Sequence, residues 1–600
     1  MYLDPVIIPK EDFFEVIVIG AGTCGLAITS RLCEECPGSV YSEDEHQRFY
    51  WLRKRQGRVN FVSKHGKPNT LLHRNKKFKP EEILVLDAMS DRFLGQWDSQ
   101  FAACQIPFLR SPMFFHCDPV NIDGMVSFAH MENRQKDLME ITNVVGKEVS
   151  KHKQKRIQQK RTQKTIPLPG ATDTGIQDKP GIVDINMRDW KDYYRPSTPF
   201  FSDYCKDIIK RYNLQSRVKK DEVISIEYKY ISVAGTDEQG EGMVIRTASG
   251  KVFGCKIGIV TSGHRGSINY PITPFTETHF PYASCHTTHL FTKQVNFLDE
   301  RFFNKTNSPC SIVIVGGGLT SAQLAHVAAQ DPRIDKVYLL FRGPVKIKHF
   351  DFHLDWVTKY KNVKKSAFYI LDTDEERARM IKDAREGGSI NPEYYKKLNA
   401  HVKSGKVDWM KHTEIVSQNW DQKSERWDLS VETKTMGKDH KELVVEKKLS
   451  NIRYIYFATG IRADIQSLEF LQPMMKENPI EVVDGFPCLT DNLQWNEIVP
   501  LFMSGKNASL RIGPTSANLD GARSGAERIG WYIQDLKAKG KLDWSCCKMN
   551  GCCSSESNIL SLEDKIDLDC QEESDDGSSY QTHLKLASGQ MNWFTLLDST

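Results

Sequence analysis

The sequence predicts an α/β chain in which one three-layer unit is inserted into another. Two stretches carry that expectation. "EVIVIGAGTCGLAITSRL", Glu15 to Leu32, runs a β-branched strand into three glycines and then into helical periodicity. "SIVIVGGGLTSAQLAHVAA", Ser311 to Ala329, repeats the design about 300 residues later. The length of 600 residues adds a third reason, because it exceeds what one core holds and leaves two or three domains.

Composition narrows the class. Hydrophobic content of 40% and charged content of 26% are those of a soluble globular protein. A net charge of +4 points to no nucleic-acid partner. The 15 cysteines are too few and too irregular for a disulfide scaffold, so a reduced, cytoplasmic setting is expected. The opening "MYLDPVIIPKEDFF" lacks the pattern of a secretory signal. No apolar run reaches the ~20 residues of a membrane span. No metal site is expected; the CC-x4-CC pairs near the C-terminus have no histidine beside them.

In the first unit, Gly20-x-Gly22-x-x-Gly25 follows the strand Val16 to Ile19. The first glycine permits a sharp turn, and the second clears the path of a pyrophosphate. The third lets helix and strand pack closely. This is a Rossmann-like fingerprint, with the helix N-terminus facing the phosphates. It calls for an acid at the end of the next strand. A polar insertion, 37–80, delays that strand to "EILVLD", which places Asp87 as the ribose ligand. Glu43 and Asp44 stand nearer the usual spacing but follow no apolar strand. Aromatic and proline-rich loops come next, then a basic linker over 147–180. Helix returns at Thr198 to Leu214, and strands run to "KIGIVTSGH".

The second unit carries Gly316-x-Gly318-x-x-Ser321, with serine at the third glycine position. Its second strand, "KVYLLFRG", ends in Arg342 rather than an acid. A guanidinium there suits the 2′-phosphate of NADP, with Lys346 and Lys348 able to add charge. Two nucleotides are therefore expected, FAD on the first turn and NADPH on the second. "YIYFATG", which ends in Thr459 and Gly460, closes a further buried strand in small residues. "GPTSANLDGARSGAERI" brings Asn518 and Leu519 to a helix entry, where the dipole can steady charge on a reduced flavin. Beyond about residue 545 a Cys-rich, acidic, Ser-rich stretch reads as a disordered tail.

These motifs together resemble the two-dinucleotide flavoproteins. The chain is similar to the flavin-containing and N-hydroxylating monooxygenases, which include the lysine and ornithine hydroxylases, over roughly 14–540. "GQWD" (Gly95 to Asp98) resembles their segment beneath the flavin and puts Trp97 against the cofactor. "LRSP" looks like the segment after it, which makes Arg110 a cofactor contact. "FPYASCHTTHL" is a degenerate form of their F-x-G-x-x-x-H signature; Phe280 and His286 match, and Tyr282 replaces the glycine. The resemblance implies two Rossmann-like three-layer domains with the NADPH domain inserted in a discontinuous FAD domain. The FAD domain would comprise 1–290 and 455–540, the NADPH domain 291–454, and the tail 541–600. It also implies a monooxygenase that forms a flavin C4a-hydroperoxide from dioxygen and oxygenates a small amine-like substrate. His286, Asn518 and Thr459 are then the catalytic candidates.

Two other readings stay open. The chain is also similar in outline to the oxidative-stress-induced growth inhibitor family, which implies a flavin-binding regulator with little turnover. A disulfide reductase would need paired thiols at the flavin. Cys33-x-x-Cys36 has redox spacing, but it lies at the far end of the first helix. Substrate identity and oligomeric state are not specified by the sequence.

Overall fold

The computed structural model describes residues 5–34, 37–38, 77–142, 144, 193–263, 268–271, 283–303, 310–357, 361–436, 442–538 and 540–544. The basic linker, most of the polar insertion, the tail beyond Trp544, Cys36, Phe280 and Tyr282 lie outside these. The described chain falls within one compact unit, Met1–Ser545.

In chain order the strands are β1 (Val6–Ile8), β2 (Phe13–Ile19), β3 (Ile83–Asp87), β4 (Leu138–Glu140), β5 (Tyr194–Pro196), β6 (Val218–Lys220), β7 (Val223–Val233), β8 (Gln239–Thr247), β9 (Val252–Val260) and β10 (Ser284–His286). There follow β11 (Ser311–Val315), β12 (Lys336–Phe341), β13 (Val407–Lys411), β14 (Thr413–Asp421), β15 (Arg426–Met436), β16 (Glu442–Phe457), β17 (Val482–Val483), β18 (Phe486–Pro487) and β19 (Leu501–Met503).

Two large sheets share one plan. The first runs β1-β7-β8-β9-β2-β3-β6, with β19 beside β9. The second runs β13-β12-β11-β16-β15-β14, with β10 beside β16. In each, the glycine-bearing strand (β2 or β11) lies parallel between two others. One neighbour is the strand that leads to Asp87 or Arg342. The other, β9 or β16, is the last strand of an antiparallel meander. Val16–Ile19 and Ile312–Ile314 are buried on both faces, as central parallel strands require.

Each sheet anchors its own hydrophobic core. The second sheet lies in sequence between the two parts of the first. From the stretch between β12 and β13, Phe350, Trp356, Phe368 and Ile381 pack into the first core. The C-terminal helix Leu519–Ala538 packs on the first glycine helix, Thr23–Cys33. There Arg31 Nε donates to Glu527 Oε2 at 2.7 Å, with the two side chains 0% and 5% exposed. Gly530 is a glycine because a Cβ would stand 2.8 Å from Arg31 Cγ.

Candidate functional site

The first glycine turn is built by close backbone contact. Gly20 has φ of +109°, and a Cβ on it would stand 2.8 Å from the Thr261 carbonyl oxygen. A Cβ on Gly25 would stand 2.0 Å from the Gly20 carbonyl oxygen. A Cβ on Gly22 would meet nothing within 4 Å, which leaves room over the helix N-terminus. The Thr261 hydroxyl donates to Ile19 O at 3.0 Å and Gly20 O at 2.8 Å, so the end of β9 holds the turn.

Asp87 completes this cradle. Its Oδ2 accepts from Ala21 N at 2.9 Å, and its Oδ1 from Met89 N and Ser90 N at 2.9 and 3.0 Å. A carboxylate retains lone pairs beyond three such bonds. A cavity opens here, lined by Gly20, Asp87, Gln96, Asp221 and Ser262. The buried Ser262 hydroxyl has no hydrogen-bond partner among the described residues. Leu94 N donates to Ala21 O at 2.8 Å, which seats the helix Gly95–Ala103 beside the turn. On that helix Trp97 stacks on Phe101 with ring centroids 4.4 Å apart.

The second turn repeats the first with different side chains. Gly316 has φ of +148°, and a Cβ on it would stand 2.4 Å from the Ala458 carbonyl oxygen. Ser321 does not loosen the turn. Its buried hydroxyl donates to Gly316 O at 2.8 Å and Gly318 O at 2.7 Å. Space beside Gly318 is open on the Cβ side. The backbone at Gly388, however, lies on this turn. A Cβ there would stand 2.9 Å from Gly317 C and Gly318 N. Arg342 is exposed just past β12. Lys346 and Lys348 instead hold the chain beside Gly388, donating to Glu386 O at 2.7 Å and Arg385 O at 3.0 Å.

The remaining candidates fall into two groups. His286 pairs in register with Phe457, two residues before Thr459. Asn269 binds Gly460 O and Thr459 O at 3.0 and 3.3 Å, and the adjacent Tyr270 ring meets the His286 ring edge-on. His286 Nδ1 accepts from Thr288 N at 3.2 Å, so the neutral ring carries its proton on Nε2. Burial, helped by His289, pulls its pKa down to about 4, which keeps the ring neutral near pH 7. The Thr459 hydroxyl is buried and has no hydrogen-bond partner among the described residues.

Asn518 belongs to the other group, with Arg110. Asn518 Nδ2 donates to Asp351 Oδ2 at 3.0 Å, and Arg110 lies 3.4 Å from Asp351 Oδ1. Arg385 pairs with Asp351 at 3.3 Å. Burial opposes ionisation of Asp351, but Arg110 and Arg385 hold its carboxyl below the usual range. Arg110 also donates to the carbonyls of Lys348, His349, Phe350 and Ser389 at 2.7–3.3 Å. Its donors join the loop of the first unit to the segments before and after the helix Asp374–Arg385. Leu519, 4% exposed, packs in the first core where the C-terminal helix begins.

Sequence reasoning missed Lys506, one residue past the left-handed Gly505. Burial and Arg385 lower its pKa to about 8. It missed His116 too, whose ring is enclosed between Ile122 O and Asp118 N. Neither position carries a spacing signal.

No family model matches the chain, and no curated protein matches it in sequence. Solved structures do match. The ornithine N-hydroxylase of Kutzneria sp. 744, solved with reduced FAD, NADP+ and L-ornithine, aligns at 11% identity with a TM-score of 0.53. That alignment covers 88% of this chain and 100% of the other. The FAD-bound cadaverine monooxygenase of Erwinia amylovora aligns at 12% identity and TM-score 0.51, over 88% and 95%. This chain has the fold of the N-hydroxylating flavin monooxygenases. The L-lysine 6-monooxygenase of Pseudomonas syringae aligns with the same fold at 15% identity and TM-score 0.50, over 87% of this chain and 99% of the other. In the N-hydroxylating monooxygenase fold of this chain, no described helix is long and apolar enough to cross a membrane.

Proposed function

We propose that the chain is an FAD-dependent, NADPH-using oxidoreductase that oxygenates a small amine-like substrate with dioxygen. One observation carries the reading: two glycine turns end the central strands of two sheets with the same plan, with open space at Gly22 in the first and on the Cβ side of Gly318 in the second. The Kutzneria and Erwinia proteins of this fold were solved with FAD, the former also with NADP+. FAD supplies hydride acceptance and reaction with dioxygen when bound. The chain supplies position. The amides around Gly22 would hold one pyrophosphate, and Asp87 its ribose. The amides around Gly318 would hold the other, and Arg342 would take the 2′-phosphate. His286 offers a neutral, buried Nε2–H donor beside Thr459, and Asn518 stands fixed at the helix entry.

Among the described residues, the cysteines nearest the first glycine turn do not favour reductase chemistry. Burial pushes both Cys24 and Cys33 up to about 12, far from the thiolate such chemistry needs. A second reading, the low-turnover flavin-binding regulator, is favoured by Gly388, whose backbone lies on the turn assigned to NADPH. Spectroscopy of the purified protein separates the two. A yellow protein that NADPH bleaches, and that then consumes dioxygen faster with an amine substrate, supports the oxygenase. A yellow protein that NADPH does not bleach supports the regulator. A colourless protein that FAD does not reconstitute removes both.

A further inference from the structure

Lys506 stands between the working ends of the two sheets. In an open α/β sheet, ligands bind past the carboxyl ends of the parallel strands. In the first sheet Ile19, Val260 and Met503 lie level in β2, β9 and β19. The chain leaves these strands at Gly20, Thr261 and Ser504, so Lys506 follows the same edge as the first glycine turn. A Cβ on Gly505 would stand 3.2 Å from Cys24 Sγ, on the first glycine helix. Gly505 O accepts from Ser516 Oγ at 2.6 Å, on the loop that enters the C-terminal helix. In the second sheet Val315 and Phe457 lie level in β11 and β16, just ahead of Gly316 and of Thr459, Gly460 and Ile461. Lys506 Nζ crosses to that edge and donates to Ile461 O at 3.1 Å.

This ammonium is short of partners. It has three donors, and Ile461 O takes one. Among the described residues, no carboxylate forms an ion pair with it. The charge that does act on it is Arg385, a second cation. Asp351 is already shared by Arg110 and Arg385. Even with its pKa lowered to about 8, Lys506 stays mostly charged near pH 7. A partly buried cation with no counter-ion is costly at rest. It is well placed for an anion that forms only during reaction.

We infer that Lys506 is the electrostatic partner of the reduced flavin ring, offsetting the negative charge that hydride transfer brings to it. The hydride leaves NADPH with its electron pair, so NADP+ forms and the neutral ring gains one negative charge. No proton is exchanged, and Lys506 keeps its own. The inference rests on the proposed seating of FAD at the first glycine turn. It adds a charge that tunes the cofactor's potential.

The test measures the midpoint potential of bound FAD in the full-length protein, by equilibration with a reference dye, and its affinity for oxidised FAD. Lys506→Gln keeps an N–H for Ile461 O and drops the charge; Lys506→Met drops both. Each is expected to disfavour reduced against oxidised FAD by roughly tenfold or more, a fall of about 30 mV for two electrons. Lys506→Arg, which keeps a charge, is expected to stay within about threefold of the parent, or roughly 15 mV. A lysine that only joins the two sheets would weaken both redox forms alike and leave the potential unchanged. The inference is overturned if the neutral variants hold FAD at the parent potential, or if Lys506→Arg falls as far as they do. It is also overturned if Lys506→Met alone shifts the potential, which assigns the effect to the Ile461 bond. A Lys506→Gln protein that no longer binds oxidised FAD overturns it too, since the lysine would then serve the fold or the resting cofactor. All these outcomes leave the FAD reading in place. A parent protein that FAD does not reconstitute removes both.

Discussion

Replacing Gly22 and Gly25 singly by alanine separates the cradle's two jobs. Gly22 has φ of −74° and a Cβ direction that meets nothing within 4 Å. Alanine there costs the fold only the difference between glycine and alanine at an N-cap, about 0.5–1 kcal/mol. The same methyl stands where a pyrophosphate would approach. Displacing it from one or two amides loses charge-assisted hydrogen bonds of about 1.5–3 kcal/mol each. FAD should therefore bind roughly 10- to 100-fold or more weakly. At Gly25 the methyl would stand 2.0 Å from the Gly20 carbonyl oxygen, so the turn itself must move. That overpacking costs about 1–3 kcal/mol or more and lowers stability even without cofactor. The assay pairs thermal unfolding of flavin-stripped protein with FAD titration followed by absorbance. Gly22→Ala should leave the melting point nearly unchanged and lose flavin; Gly25→Ala should lose both. A Gly22→Ala protein that holds FAD as tightly as the parent refutes the assignment of this turn to a pyrophosphate.

Glu527→Ala strands Arg31 in the interface between the first and last helices and should cost about 3–5 kcal/mol in chemical denaturation. Acid should also weaken the fold through His116. Burial lowers its pKa from the ordinary 6.5 to about 4, so the unfolded chain takes up the proton first. Its contribution is therefore complete above pH 6.5 and lost as pH falls toward 4, a change of about 2 kcal/mol between pH 7 and pH 5. Denaturation midpoints at those two pH values should differ less in His116→Gln. Arg342→Ala should raise the KM for NADPH by roughly tenfold or more while that for NADH hardly changes, the worth of one charge-assisted contact; equal effects on both would detach Arg342 from the 2′-phosphate.

Much of the scaffold was legible because it rests on local rules. A β-branched run entering Gly-x-Gly must turn sharply and can then start a helix, wherever it sits in a chain. "ILVLD" could be assigned across a long insertion because its apolar run still demanded a central strand. Serine at position 321 looked like a departure, yet its hydroxyl fastens the turn that a glycine would only permit. What stayed hidden depends on distant neighbours. Arg110 looks like a cofactor contact until the segment around residue 349 is seen to occupy its donors. Arg523 is one more charge on an amphipathic helix until burial shows its donors without a hydrogen-bond partner among the described residues. No spacing in the sequence places Gly388 on a turn some 70 residues upstream.

The clamp between Arg31 and Glu527 joins residues 496 positions apart. During synthesis the first glycine helix therefore emerges long before the helix that braces it, and at ~5–20 residues per second it waits roughly half a minute or more. Until then the nascent chain carries an unbraced nucleotide-binding half whose buried arginine has no counter-charge. A ribosomal product that stops before the final helix should be colourless and a ready client for chaperones, however complete its glycine motifs are.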